Sequence, residues 1–237
     1  MGKTFLIARR EMVAYLTSPS MYVIAAVFTA IAGYFFVDGI SIPFPEATVS
    51  PYAGAITLAL VFIAPALTMR LFAEELRLGT IDLVMSAPVS EWQLTLGKYF
   101  GVLVPFVGML ALTSFFAGLF YWLGSPDSGP IITVYLGLFL YGAAALAVGL
   151  WASSVTANQA LAAVVGIGLL VLFSVTHLAA ANTSGWVAES FQMISIVHHF
   201  ADFRRGVLNL TDVAYYLSVT ATFLFLCVRT LESRRWL

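Results

Sequence analysis

Residues 70–101 read RLFAEELRLGTIDLVMSAPVSEWQLTLGKYFG. This stretch holds Arg70, Glu74, Glu75, Arg77, Asp82, Glu91 and Lys98, in a 237-residue chain that is 61% hydrophobic and 10% charged. It begins where one apolar run stops and ends where another starts. It is therefore a polar joint between two membrane spans, and the rest of the chain is read outward from it.

A soluble domain carries about 25% charged residues. This chain, with a mean hydropathy of +0.95, cannot cover a water-facing surface and belongs among integral membrane proteins. Its net charge of −1 gives no sign of a nucleic-acid partner. The single cysteine, Cys227, excludes an intramolecular disulfide and a cysteine metal cluster. Gly2-Lys3-Thr4 has the form of the tail of a phosphate-binding loop, without the strand and glycine such a loop needs before it. Ala30-Ile31-Ala32 has the A-x-A form of a cleavage site, but the polar lead is long and the apolar run continues through Val37. An uncleaved first span is expected.

A bilayer core of about 30 Å needs roughly 20 apolar residues in a helix. The gaps between charges give six spans, near 20–37, 52–70, 98–123, 131–152, 159–180 and 212–230. The polar patch WASSVTANQ at 151–159 separates the fourth from the fifth. The expected fold is an all-α polytopic membrane protein, one domain over 1–237. With the N-terminus inside, Lys3, Arg9, Arg10, Arg70, Arg77, Lys98, Arg229, Arg234 and Arg235 all fall on the cytoplasmic side. Arg204 and Arg205 fall outside, in the long loop 181–211. Both termini are expected in the cytoplasm, which six spans allow.

No charged residue or histidine sits in the middle of a span, which argues against a proton relay, a voltage sensor or a cation filter. No H-E-x-x-H or G-x-S-x-G motif and no paired carboxylate within a span supports a membrane-embedded enzyme. Small residues recur in span 4 (Gly142, Ala143, Ala144, Ala145, Ala147, Gly149) and span 5 (Ala160, Ala162, Ala163, Gly166, Gly168). They allow close helix packing, expected between these two spans of one chain rather than between two chains. Thr57, Thr113, Ser114, Ser153, Thr176 and Thr220 place hydroxyls in otherwise apolar spans, a lining that fixes no substrate.

Within the joint, Arg70, Glu74 and Arg77 have the spacing of a charge ladder on one helical face. Gly79 ends that helix. Thr80 can cap a new short helix with Asp82 in its first turn, and Pro88 stops it. Ser90-Glu91-Trp92-Gln93 has the form of a capping box opening the next helix. Loops that rest on lipid headgroups are basic, whereas this one sets Glu74, Glu75, Asp82 and Glu91 against Arg70, Arg77 and Lys98. Docking of a soluble partner fits it better.

These residues resemble a family. Glu74-Glu75, Gly79-Thr80, Asp82, Leu83, Pro88-Val89 and Gly97-Lys98 follow the pattern between the second and third spans of type-2 ABC exporter permeases. ARREMVAYLTSPSMYV near the N-terminus resembles that family's lead-in helix, through Arg9, Arg10, Glu11 and Ser18-Pro19. The C-terminal HHFADFRRGVLNLTDVAYYL and LESRRWL resemble the branch grouped with gliding-motility and copper-enzyme-maturation permeases. The resemblance implies the transmembrane half of a transporter in the inner (cytoplasmic) membrane. A second permease copy or a homologous permease would complete the pathway, and cytoplasmic ABC ATPase subunits would bind the ATP and Mg; this chain would hold no cofactor or metal and catalyse nothing itself. A coupling helix seated on the ATPase would use Glu74, Glu75, Arg77, Gly79, Thr80, Asp82, Leu83 and Pro88. The lead-in helix with Arg9, Arg10 and Glu11 would lie along the inner leaflet.

In loop 181–211, Phe191, Ile194, Val197 and Phe200 make an apolar stripe at helical spacing, and the resemblance implies short helices dipping into the outer leaflet. His198 and His199, with Asp202 and Met193, raise a metal site. Adjacent residues on a helix point about 100° apart, so a polar helix face is the expected reading. Asn182-Thr183-Ser184 has the glycosylation pattern. The leading function is an ATP-driven exporter subunit. The alternative is an ATPase-driven anchor that passes force to envelope or periplasmic proteins without moving a solute.

Overall fold

The computed structural model describes residues 2–40, 49–81, 89–123, 128–182 and 185–234. Among these the chain is all-α, without strands. The helices are α1 Gly2–Thr17, α2 Pro19–Ile40, α3 Val49–Thr68, α4 Ala73–Leu78, α5 Glu91–Leu123, α6 Ser128–Val155, α7 Gln159–Ala181, α8 Trp186–Ile194, α9 Ile196–Arg204 and α10 Leu210–Arg234. Six stretches are long and apolar enough to cross a membrane: Pro19–Asp38, Tyr52–Leu78, Glu91–Leu119, Gly129–Val155, Gln159–Ala180 and Leu210–Arg234. They correspond in order to the six spans read from the charge gaps.

Local chemistry sets the ends of these helices. Ser18 and Pro19 separate α1 from α2, and a proline at the first helical position loses no hydrogen bond. Ser90 and Gln93 form the expected capping box: Ser90 Oγ accepts from Gln93 N at 3.3 Å, and Gln93 Oε1 accepts from Ser90 N at 3.3 Å. α5 therefore begins two turns ahead of the apolar run itself. Asn158 caps α7, accepting from Ala160 N at 2.9 Å and Leu161 N at 3.3 Å.

The centre of the bundle is α6, which packs against α3, α5, α7, α9 and α10. Its small residues let the neighbours come close. Gly142 lies under the Phe106 ring of α5, and Gly149 lies against Thr68 and Pro65 of α3. Gly166 of α7 also meets Pro65, and a Cβ on it would stand 3.6 Å from Gly149 Cα. Spans 4 and 5 do approach through their small residues, as expected. The same residues additionally admit α3 and α5.

The long loop folds into α8 and α9. Ser195 breaks the stripe between them and caps α9, accepting from His198 N at 3.2 Å. α9 inserts beside α6: a Cβ on Gly137 would stand 2.7 Å from Phe203 Cγ, and Thr133 donates to Phe203 O at 2.8 Å. Tyr216 of α10 donates to Ile196 O at 2.7 Å from the other side.

Candidate partner-docking face

One end of the bundle gathers α1, α4, the α6–α7 turn and the end of α10. Arg234 Nη2 donates to Val155 O at 2.8 Å, which ties the last of these to the turn. The turn at 151–159 therefore lies on the same side as the polar joint.

α1 binds across the start of α5 because two glycines leave room for it. A Cβ on Gly97 would stand 2.7 Å from Ile7 Cβ, and one on Gly101 would stand 2.5 Å from Glu11 Cβ. The G-x-x-x-G spacing puts both on one helical face, the arrangement that lets helix backbones meet. Tyr15 of α1 donates to Leu67 O at 2.5 Å, which fixes its far end to α3. Burial pushes the Tyr15 phenol pKa up, so it stays a donor. The opposite face of α1 exposes Phe5, Leu6, Val13 and Leu16 around Arg9.

α3 ends at Thr68, and a turn through residues 69–72 redirects the chain into α4. Ser153 of α6 sets that turn. Its Oγ accepts from Phe72 N and Ala73 N, each at 3.0 Å, and donates to Met69 O at 3.0 Å. The turn places Arg70 on a different element from Glu74 and Arg77. The expected ladder is absent among the described residues, and Arg70 instead donates to Ser20 Oγ at 2.6 Å.

The charges meet elsewhere. Lys98 enters from α5 and is 1% exposed. Its Nζ donates to Leu71 O at 2.7 Å, to Glu75 Oε1 at 2.8 Å and to Glu11 Oε1 at 3.4 Å. The Phe72 ring centroid lies 5.0 Å away. Arg10 Nη2 completes the group, 2.9 Å from Glu11 Oε1 and 3.4 Å from Glu75 Oε1. The hydrogen bond that Arg10 donates to Glu11 holds its guanidinium above its ordinary pKa. Two acids and two bases thus balance around the buried Lys98, with the Arg10 side chain 62% exposed at the rim, and removal of Lys98 would leave buried carboxylate charge poorly compensated. A pocket of about 390 Å³ opens beside this group, lined by Arg10, Glu11, Tyr15, Arg70, Glu74, Glu75 and Lys98.

The residues expected to contact a partner separate into three sets. Arg10, Glu11 and Glu75 hold the ion cluster, and Glu74 lines its pocket. Arg9, Arg77 and Gly79 are exposed and Thr80 is half-buried. Asp82, Leu83 and Pro88 lie outside the described residues. Gly79 ends α4 with φ +67°, where Thr80 N donates to Glu75 O at 3.0 Å and Gly79 N to Leu76 O at 3.4 Å. That is the left-handed glycine termination expected from the sequence. Arg77 and the turn residues Thr156, Ala157, Asn158 and Gln159 line a second, open recess of about 470 Å³.

Sequence reasoning placed Lys98 in the joint and Gly97-Lys98 in the family pattern without giving either a contact, and it missed Gly101 and Ser153 as parts of this face. The two glycines in G-K-Y-F-G were the available signal. At the other end of the molecule, His199 does not pair with His198. Its Nδ1 lies 2.6 Å from Asp212 Oδ1, and its ring stacks on Tyr215 at 4.0 Å. No group of three or more metal-ligating side chains forms among the described residues.

The sequence model of the family described as "ABC-2 family transporter protein" matches residues 32–229. Two curated relatives, each named "Probable multidrug ABC transporter permease YbhS", come from Escherichia coli strain K12 and Escherichia coli O157:H7. Each is 28% identical over 167 residues, covering 70% of this chain and 40% of the relative. The chain thus spans well under half the length of the curated relatives it matches. Six apolar helices and a family match over most of the sequence lead to one assignment: this chain belongs to the ABC-2 transporter family and is a multi-pass membrane permease subunit of the type-2 class.

Proposed function

We propose that this permease couples ATP hydrolysis on a separate ABC ATPase chain to export of a substrate, and that the ATPase seats on the face built by α1, α4 and the α6–α7 turn. This face is then cytoplasmic, with both termini, and the membrane is the inner one. ATP and Mg belong to the partner, and a second permease copy or a homologue completes the pathway. The observation that carries this reading is the Lys98 cluster. One buried cation ties the lead-in helix through Glu11, the α3–α4 turn through Leu71 O, and α4 through Glu75 to the body of α5. A push on α4 is therefore passed to α1 and α5 as one rigid unit. The same reading assigns Asp82, Leu83 and Pro88, which lie outside the described residues, to contact with the ATPase.

Coexpression with the cognate ATPase followed by affinity capture in mild detergent tests this. Wild-type chain brings the ATPase with it. Arg77→Glu and Gly79→Pro lose it, while both variants keep the melting behaviour of the spans. Arg77 is exposed and sits in none of the described ion pairs, and proline cannot adopt the φ of +67° at Gly79. Retention of the ATPase by both variants would defeat the docking reading. Glu75→Arg is a poorer test, because it would set another cation against Lys98 and Arg10.

A further inference from the structure

At the end of the bundle away from α1 and α4, a cleft of about 320 Å³ runs between α3, α6, α7 and α9. Arg204, at the end of α9, reaches into it across Gly54 of α3, where an added Cβ would stand 3.3 Å from Arg204 Nη1. The guanidinium has no carboxylate within 4.0 Å among the described residues. At the deep end Tyr141 is fully buried, and its hydroxyl has no hydrogen-bond partner among the described residues. A buried hydroxyl without a close partner is destabilising, so a ligand acceptor would complete the site. Thr57 and Ser174 donate their own hydroxyl protons to Gly54 O at 2.8 Å and Leu170 O at 2.7 Å, and Ser174 is the side chain that interacts with the Tyr141 hydroxyl, outside close hydrogen-bond geometry.

The cleft therefore presents the Arg204 cation, the His177 ring and a Tyr141 hydroxyl that makes no close hydrogen bond, and it suits a ligand rich in acceptors. Its mouth is apolar. Leu58 and Val175 line it and are 62% and 48% exposed, on faces of membrane-spanning helices. These two residues put part of the cleft's rim on the exposed faces of membrane-spanning helices. From Gly54 to Val61 the cleft descends about 10 Å along α3, the scale of a headgroup and the first part of its chain.

We propose that this cleft binds an anionic phospholipid of the bilayer, its headgroup charge on Arg204, its ester or phosphate oxygen accepting from Tyr141, and its chain lying over Leu58 and Val175. The membrane supplies the ligand, and no ATPase is needed for binding. Failure of this proposal therefore leaves the ATPase-docking reading untouched, and the reverse also holds.

The test uses the full chain in phosphatidylcholine nanodiscs doped with diazirine-bearing phosphatidylglycerol or, separately, phosphatidylcholine with the same chains. Labelled peptides are read by mass spectrometry. A third arm uses a soluble diazirine-bearing alkyl carboxylate. Phosphatidylglycerol should label α3 and α7 about tenfold more than phosphatidylcholine, the ratio of one charge-assisted hydrogen bond. Arg204→Gln should abolish that preference, Arg204→Lys should keep it, and Tyr141→Phe should reduce labelling about threefold. The lysine variant separates loss of charge from loss of fold. Equal labelling by the two lipids, a preference that survives Arg204→Gln, or labelling by the carboxylate alone would each overturn the proposal.

Discussion

Lys98 Nζ stands 2.8 Å from Glu75 Oε1, a contact between the first turns of one membrane helix and the short helix that precedes it. It takes the Lys98 end of the polar joint into the protein interior. Lys98→Met leaves Glu11 and Glu75 with Arg10 as their sole cation in the cluster, and should cost about 3–5 kcal/mol. Lys98→Met combined with Glu75→Gln removes charge from both sides and should recover much of that loss. Thermal melting in detergent of the two variants, side by side, decides it. A single variant that melts like the wild type would show that the cluster is solvated.

The seat of α1 makes a separate prediction. Gly101→Leu drives a side chain into the position of Glu11, whose Cβ would lie 2.5 Å from the new Cβ. Overpacking of this kind costs about 1–3 kcal/mol. Here the cheapest relief is for α1 to lift away, since its other face is already exposed. Trypsin should then cut after Lys3, Arg9 and Arg10 several times faster than in the wild type, and the melting temperature should fall, because lifting α1 also withdraws Glu11 and Arg10 from Lys98 and Glu75. Unchanged cleavage would mean that α1 is held chiefly by the Tyr15–Leu67 hydrogen bond and the ion cluster.

The elements that sequence reasoning placed correctly are those with local causes. Six apolar runs, the Ser90–Gln93 capping box and the Gly79 helix end each depend on residues within a turn or a span. The features it missed depend on long-range contact. Ser153 meets Phe72 and Ala73 across 81 and 80 positions of the chain, and Lys98 meets Glu11 across 87. Lys98 was read as an edge charge because it precedes an apolar run. The capping box starts α5 early and draws Lys98 inside instead. The Arg70–Glu74–Arg77 ladder failed for a local reason of a different kind: the spacing was right, but α3 stops at Thr68 and the helix is not continuous.

Ser153 tests how the α3–α4 turn is held. Ser153→Ala deprives Phe72 N and Ala73 N of their acceptor in a buried setting, and each orphaned N–H costs about 1–3 kcal/mol. Hydrogen exchange at these two amides should rise by at least about tenfold, while amides in the middle of α6 change little. Ser153→Thr keeps the hydroxyl and should stay close to the wild type. Equal protection in Ser153→Ala would show that water or the helix itself satisfies the turn.

The Ser90–Gln93 box offers the contrasting case. It too has two hydrogen bonds, but both are 3.3 Å long and exposed, so water can replace either partner. Ser90→Ala should fall at the low end of the capping range, about 0.5 kcal/mol. Gln93→Ala on the Ser90→Ala background should add almost nothing, because the box acts as a unit. A double-mutant cycle on thermal melting measures that coupling. If Ser90→Ala instead destabilised the protein as strongly as Ser153→Ala, the start of α5 would have to be buried against a further contact, and the first turns of α5 would count as part of the rigid unit around Lys98.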